Sequence, residues 1–114
     1  MSDSPSLVHA LAELAVSKQG FEPFHPGVEI RPLYRTQAGP AAAVLRYQPG
    51  ASIPHHSHDG YEHILVLEGE QSDERGKYPA GTLIVNPPGS RHSVISETGC
   101  VVLVVWEKQP KFAK

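Results

Sequence analysis

The sequence predicts an all-β domain, a small barrel or sandwich preceded by one short helix. Two observations carry this. Short apolar or alternating runs recur at roughly 8–12-residue intervals with turn residues between them. No segment of helix length separates those runs, which argues against a βαβ layout. The eleven prolines and ten glycines are spread along the chain rather than pooled in one tract. They therefore read as turns between strands and not as disorder.

Residues 1–5 are expected to fray. Over residues 6–19, Leu7, Val8, Leu11, Leu14 and Ala15 fall on one helical face, with Ser6 as N-cap and Gly20 as the stop. Such a helix packs on the outside of the main body or on a neighbouring subunit. The period then changes to two. Residues 28–34 alternate through Val28 and Ile30 to a break at Pro32, and residues 41–47 close at Pro49-Gly50. Residues 62–67 close at Glu68-Gly69, and residues 76–78 form a short edge. Residues 81–85 close at Pro87-Pro88-Gly89, residues 92–96 at Thr98-Gly99, and residues 100–107 are the most apolar run. The expected organisation is a helical extension (1–20), a barrel (21–108) and a polar tail (109–114) that trails along the surface.

A chain of 114 residues suits one domain with one modest core. A formal charge of −2 and the lack of any Lys/Arg run give no reason to expect a nucleic-acid or membrane-surface partner. Cys100 is the single cysteine. This excludes an intrachain disulfide and a cysteine-rich zinc module, and the thiol reads as buried and reduced. Ser2 and Asp3 stand where a secretory leader has basic residues, and the longest apolar run, 100–106, is far short of the ~20 residues a spanning helix needs. A soluble, cytoplasmic protein is expected.

Three histidines and a glutamate carry the chemistry. His56 and His58 are two apart, so in an extended segment they point the same way. Glu62 opens the next strand. If it faces inward, Ile64 and Val66 do too, while His63, Leu65 and Leu67 face outward. His92 follows after two intervening short strands, aimed by Pro87-Pro88-Gly89. Three imidazoles and one carboxylate can hold one divalent transition metal and leave coordination positions open. The bland alternative is a polar cluster satisfied by water and hydrogen bonds. Without a cation, however, a buried carboxylate among like-directed imidazoles bears a desolvation penalty.

The two segments resemble the cupin signature, G-x5-H-x-H-x3,4-E-x6-G and G-x5-P-x-G-x2-H-x3-N. Gly50, His56, His58, Glu62 and Gly69 fit the first; Gly81, Pro87, Gly89 and His92 fit the second; Ser96 stands where Asn is usual. The run from Glu62 through Asp73, Gly76 and Tyr78 to Gly81, with residues 86–92 and Gly99-Cys100, is similar to the ChrR cupin-like group. That group includes C-terminal domains of zinc-bearing anti-sigma factors and relatives resembling dioxygenases such as acetylacetone dioxygenase. The resemblance implies a double-stranded β-helix (cupin, or jelly-roll) barrel, often homodimeric. It implies His56, His58, Glu62 and His92 as ligands of Zn, Fe(II), Ni or Mn. About twenty residues precede the barrel, so the sigma-binding half of those anti-sigma factors is expected to be absent.

Tyr61, before Glu62 at the barrel mouth, and Ser96 are the candidate substrate contacts. Tyr47 and Trp106 line either the cavity or an interface. His55 and His63 point away from the ligands by alternation, His9 and His25 default to the surface or an interface, and Arg91 faces away from His92. Asp73-Glu74-Arg75-Gly76 reads as a solvated hairpin tip. Three functions are consistent with this pattern. The first is a metal-dependent oxygenase or Lewis-acid enzyme acting on a small carbonyl substrate. The second is a sensor akin to anti-sigma cupin domains, and the third is a metal-stabilised scaffold without turnover.

Overall fold

In the computed structural model, which describes residues 5–112, the alternating segments form β2 (Val28–Arg35), β3 (Ala41–Tyr47), β5 (Glu62–Asp73), β6 (Gly76–Pro79), β7 (Leu83–Asn86), β8 (Arg91–Ser96) and β9 (Cys100–Trp106). Three further strands, β1 (Glu22–His25), β4 (Ala51–Ser57) and β10 (Lys111–Phe112), were not anticipated, and one helix, α1 (Leu11–Val16), precedes them all. The fraying expected of residues 1–5 falls, Pro5 apart, outside the described residues. The strands pair antiparallel in the order β1-β2-β3-β9-β5-β8-β4-β10, with β6 and β7 also on β5. Pairings between strands distant in sequence curl this sheet into the predicted all-β double-stranded β-helix. No described helix is long and apolar enough to cross a membrane.

The core is the inner face of the curl. Val28, Ile30, Leu45, Ile64, Val66, Val94, Val102, Val104 and Trp106 are buried together there. The alternation expected of β5 holds in its first half, with Glu62, Ile64 and Val66 buried and His63 exposed. A smaller cluster on the outer face joins Leu14 of α1 to Val44 and Val101.

The helix is shorter than its periodicity suggested. Ala10, not Ser6, occupies the N-cap and makes no side-chain cap bond, while Leu7, Val8, Leu11 and Val16 stay exposed. A six-residue helix has too few backbone bonds to stand by itself. It is held where Leu14 meets the sheet and where the Arg46 guanidinium donates to the Ser17 carbonyl and lies 4.3 Å over the Phe21 ring. The tail does more than trail: Lys111 and Phe112 pair with Ser57 and His56 of β4.

Two bulges set which side chains face inward. In β4 the register against β8 shifts between Ile53 and His56, so these residues, three apart, are both buried. Pro54, which cannot donate to a ladder, sits in that irregularity. It also broke the alternation that would have revealed β4. In β5 the register against β9 shifts between Val66 and Glu68. The inward set therefore changes from Glu62, Ile64 and Val66 to Gln71 and Asp73. Gly69 follows this bulge at φ 75°, and a Cβ there would lie 2.1 Å from the Gly99 carbonyl oxygen. Gly69→Ala should therefore cost at least about 1–3 kcal/mol in backbone strain alone. Denaturant unfolding of the metal-free protein measures it, and an unchanged midpoint would refute the role assigned to this bulge.

Candidate metal centre

His56 and His92 are direct cross-strand partners on β4 and β8. His58 lies just past the end of β4, where its N–H donates to the Ser90 carbonyl (2.9 Å) and its carbonyl accepts from the Gly89 N–H (2.7 Å). The Pro87-Pro88-Gly89 turn thus fixes His58 as well as aiming His92. Glu62 begins β5, with Asn86 of β7 and Trp106 of β9 as its cross-strand partners. All four side chains are buried, at 1–5% exposure, so water does not compete freely for them.

The three imidazoles each offer a nitrogen, and these atoms lie within 4.8 Å of one another. Glu62 Oε1 is 3.2 Å from His58 Nε2 and 3.7 Å from His92 Nε2. The protons on the far side of two rings are accounted for. His56 Nδ1 is 2.8 Å from the Pro54 carbonyl oxygen, which only accepts, so the proton sits on Nδ1 and Nε2 keeps its lone pair. His92 Nδ1 faces Asp73 Oδ2 at 3.3 Å, with the same result. His58 Nε2 then meets His92 Nε2 at 3.3 Å, while its Nδ1 is buried without a partner among the described residues.

The three imidazoles meet in one cluster, and Glu62 lies at its edge, in contact with His58 and His92. A three-histidine donor set with a carboxylate beside it fits a divalent transition metal. A carboxylate or carbonyl on the far ring nitrogen is also how metal-bound histidines are commonly oriented.

The electrostatics agree. Burial lowers the His56 pKa, outweighing the Pro54 bond that raises it, so the ring stays neutral and able to ligate. Burial pushes Glu62 up, but bonds from His58, Trp106 and Asn86 overcome it and hold the carboxyl below its ordinary range. Trp106 Nε1–H donates to Oε2 (2.7 Å) and Asn86 Nδ2–H to Oε1 (2.9 Å).

Asp73 corrects the sequence reading. It was expected in a solvated turn, yet its side chain is 1% exposed and faces His92. It also accepts from Tyr78 Oη (3.0 Å) and the Arg75 backbone N–H (2.8 Å). Arg75 Nη2 donates to Asn86 Oδ1 (2.8 Å), so the hairpin tip braces both the His92 and the Glu62 sides of the cluster. The bulge after Val66 turns Asp73 inward. A glycine inside a strand, Gly69, was the available signal. Glu74 does remain solvated, bonding Ser93 and standing 3.9 Å from the exposed His55.

Tyr61 is 48% exposed and stacks on His63 with centroids 6.4 Å apart, while Ser96 is fully buried and donates to the Glu70 carbonyl (2.6 Å). Other residues wall the cavity at the cluster. It measures about 20 Å³ and is lined by Tyr47, His56, Glu62, Gln71, His92 and Phe112 among others. An adjoining cleft of about 250 Å³ shares Phe24, Trp106, Pro110 and Phe112 with it. Of the remaining candidates, His9 and Arg91 are exposed and His25 lies on β1 with its ring 5.0 Å from Phe112. Cys100 is buried, and burial raises its thiol pKa to about 11, so it stays protonated.

Residues 10–109 match the ChrR cupin-like domain family. The anti-sigma-E factor ChrR of Cereibacter sphaeroides is 30% identical over 89 residues, covering 75% of this chain and 42% of that protein. The crystal structure of Rhodobacter sphaeroides SigE in complex with the anti-sigma ChrR superposes with a TM-score of 0.73 at 26% identity, covering 81% of this chain and 51% of that one. An acetylacetone dioxygenase from Acinetobacter johnsonii shares the fold at TM-score 0.83 and 14% identity, covering 100% of this chain and 81% of that one. The chain thus spans about half the length of the ChrR relatives it matches.

Two outcomes follow for the cluster. His56 has a lowered folded pKa, so below the ordinary histidine value of about 6.5 the unfolded chain takes up a proton that the native ring refuses. Stability of the metal-free protein should fall as pH drops from about 6.5, and His56→Gln should flatten that limb in urea titrations at a series of pH values. Asp73→Asn should weaken metal binding roughly 10–100-fold by loosening His92. Chelator competition checks this, and an unchanged affinity would remove Asp73 from the site.

Proposed function

The chain belongs to the ChrR cupin-like domain family, and from that premise we propose that it binds one divalent transition metal through His56, His58, Glu62 and His92. We further propose that it uses the metal on a small carbonyl compound. The observation that supports this most is the convergence of the imidazole nitrogens beside Glu62, with the His56 and His92 Nδ1 protons held on the opposite side.

When bound, the metal would supply Lewis acidity, and as Fe(II) it would also supply dioxygen chemistry. The protein's own part is legible. Asp73 and the Pro54 carbonyl keep two rings in the ligating tautomer. Asn86 and Trp106 keep Glu62 ionised and fixed. Ile53, Ile64, Val94 and Val104 make the surrounding wall apolar and limit water. Tyr61, exposed just before β5, and Ser96, at the end of β8, are retained as proposed substrate contacts. A lone buried cysteine suits a reducing compartment, the cytoplasm. A second copy of the chain is the proposed occupant of the outer apolar face, where Leu83, Val85 and Val105 are 58%, 47% and 37% exposed.

One observation favours a second reading, a regulatory metal- or ligand-binding module without turnover. The cavity of about 20 Å³ holds a water and not a diketone. Turnover therefore requires Phe112, whose ring lies 5.2 Å from the His56 ring, to move and join the cavity to the cleft beside it. The kinship with ChrR supports the regulatory reading, which then calls for a separate protein partner.

Metal analysis of anaerobically purified protein, followed by oxygen uptake with a panel of β-diketones, separates the readings. One metal per chain, lost on His92→Ala, with oxygen consumption that increases in Phe112→Ala, is the result expected of the enzyme. Tightly held metal with no uptake in either protein assigns the regulatory role, and no metal at all overturns both.

A further inference from the structure

Gln71 is 1% exposed, yet neither its amide oxygen nor its amide nitrogen has a hydrogen-bond partner among the described residues. Burying both ends of an amide unpaired costs several kcal/mol by transfer measures, so native proteins rarely leave such a group unserved. Its position supplies the reason. The bulge after Val66 places Gln71 on the inner face of β5, in the wall of the cavity that also contains His56, Glu62 and His92. Much of that wall is hydrocarbon, from Leu45, Ile53, Ile64, Val94 and Val104. Tyr78, its cross-strand neighbour on β6, donates to Asp73 instead.

We propose that Gln71 is the residue that orients a ligand at this centre. Once Phe112 moves to join the cavity of about 20 Å³ to the cleft beside it, this unpaired donor and acceptor select a small molecule with a carbonyl oxygen and a hydroxyl on adjacent carbons. The carbonyl accepts from the Gln71 Nε2–H, and the hydroxyl donates to Oε1. This rests on the metal-binding reading and narrows it, from carbonyl compounds in general to those with a hydroxyl on the carbon beside the carbonyl. A site built to hydrogen-bond a hydroxyl rejects the analogue that lacks it, because the buried amide is then left unpaired. The amide is thus a specificity device that the fold itself does not need.

The test uses the full chain loaded with Co(II), whose visible absorption reports binding at the centre, titrated with hydroxyacetone and with methoxyacetone. Methoxyacetone carries a methyl group in place of the hydroxyl proton, so it is larger and cannot donate, and the Gln71→Met comparison separates the two effects. Unaltered protein should bind hydroxyacetone about 10-fold more tightly or better. Gln71→Met, close in shape and apolar, should bring the two affinities within about twofold. The melting temperature of the metal-free variant should be equal to or above that of the parent. A preference that survives in Gln71→Met, a failure of either protein to bind hydroxyacetone, or a drop of several degrees in the metal-free melting temperature would each overturn the assignment. Failure of the parent to take up Co(II) shows instead that the underlying metal reading is wrong, and the assignment falls with it.

Discussion

The burial of Glu62 is the constraint that organises the rest of the site. A carboxylate with 4% exposure inside an apolar curl needs partners from every direction. The sheet supplies them by register: β7 places Asn86 on one side, β9 places Trp106 on the other, and the open end of the curl brings His58 and His92 opposite. A one-residue slip of β5 would turn this group to the outer face and dismantle the cluster. Register here is therefore a functional quantity as much as a structural one.

Much of this was legible in the sequence. The four proposed ligands stood out because His56, His58, Glu62 and His92 sit between turn residues at spacings a curled sheet can close. The inward phase of Glu62, Ile64 and Val66 followed from simple alternation. What stayed hidden lies beyond the two bulges. Pro54-His55 breaks the period in β4, so that strand was not recognised. The irregularity after Val66 reverses the phase of β5, so Asp73, read as part of a solvated hairpin tip, turns to His92, and Gln71, which had no assigned role, lines the cavity. Alternation loses its meaning wherever two residues oppose one, and the glycine that follows is a weak marker. The helix was overestimated for a different reason: its apolar period is real, but the sheet offers contact to one of those side chains, Leu14.

The supporting groups also explain how one small domain can serve different ends. The braces from Asp73, Arg75 and Asn86 fix the ligands, whereas Gln71, Phe112 and the cleft by Trp106 determine what can approach them. The fold is shared with an anti-sigma factor and with an acetylacetone dioxygenase, so the fold by itself does not set the role. The second group draws on β5, β9 and the C-terminal strand, elements that contact the cluster without supplying more than one of its members.

Trp106 is the only tryptophan in the chain, and its indole N–H is bonded to the carboxylate at the heart of the site. Its emission is therefore uncontaminated by other indoles and arises beside the Glu62 carboxylate of the proposed centre. Events at the centre have a built-in optical reporter, readable by stopped-flow without a label.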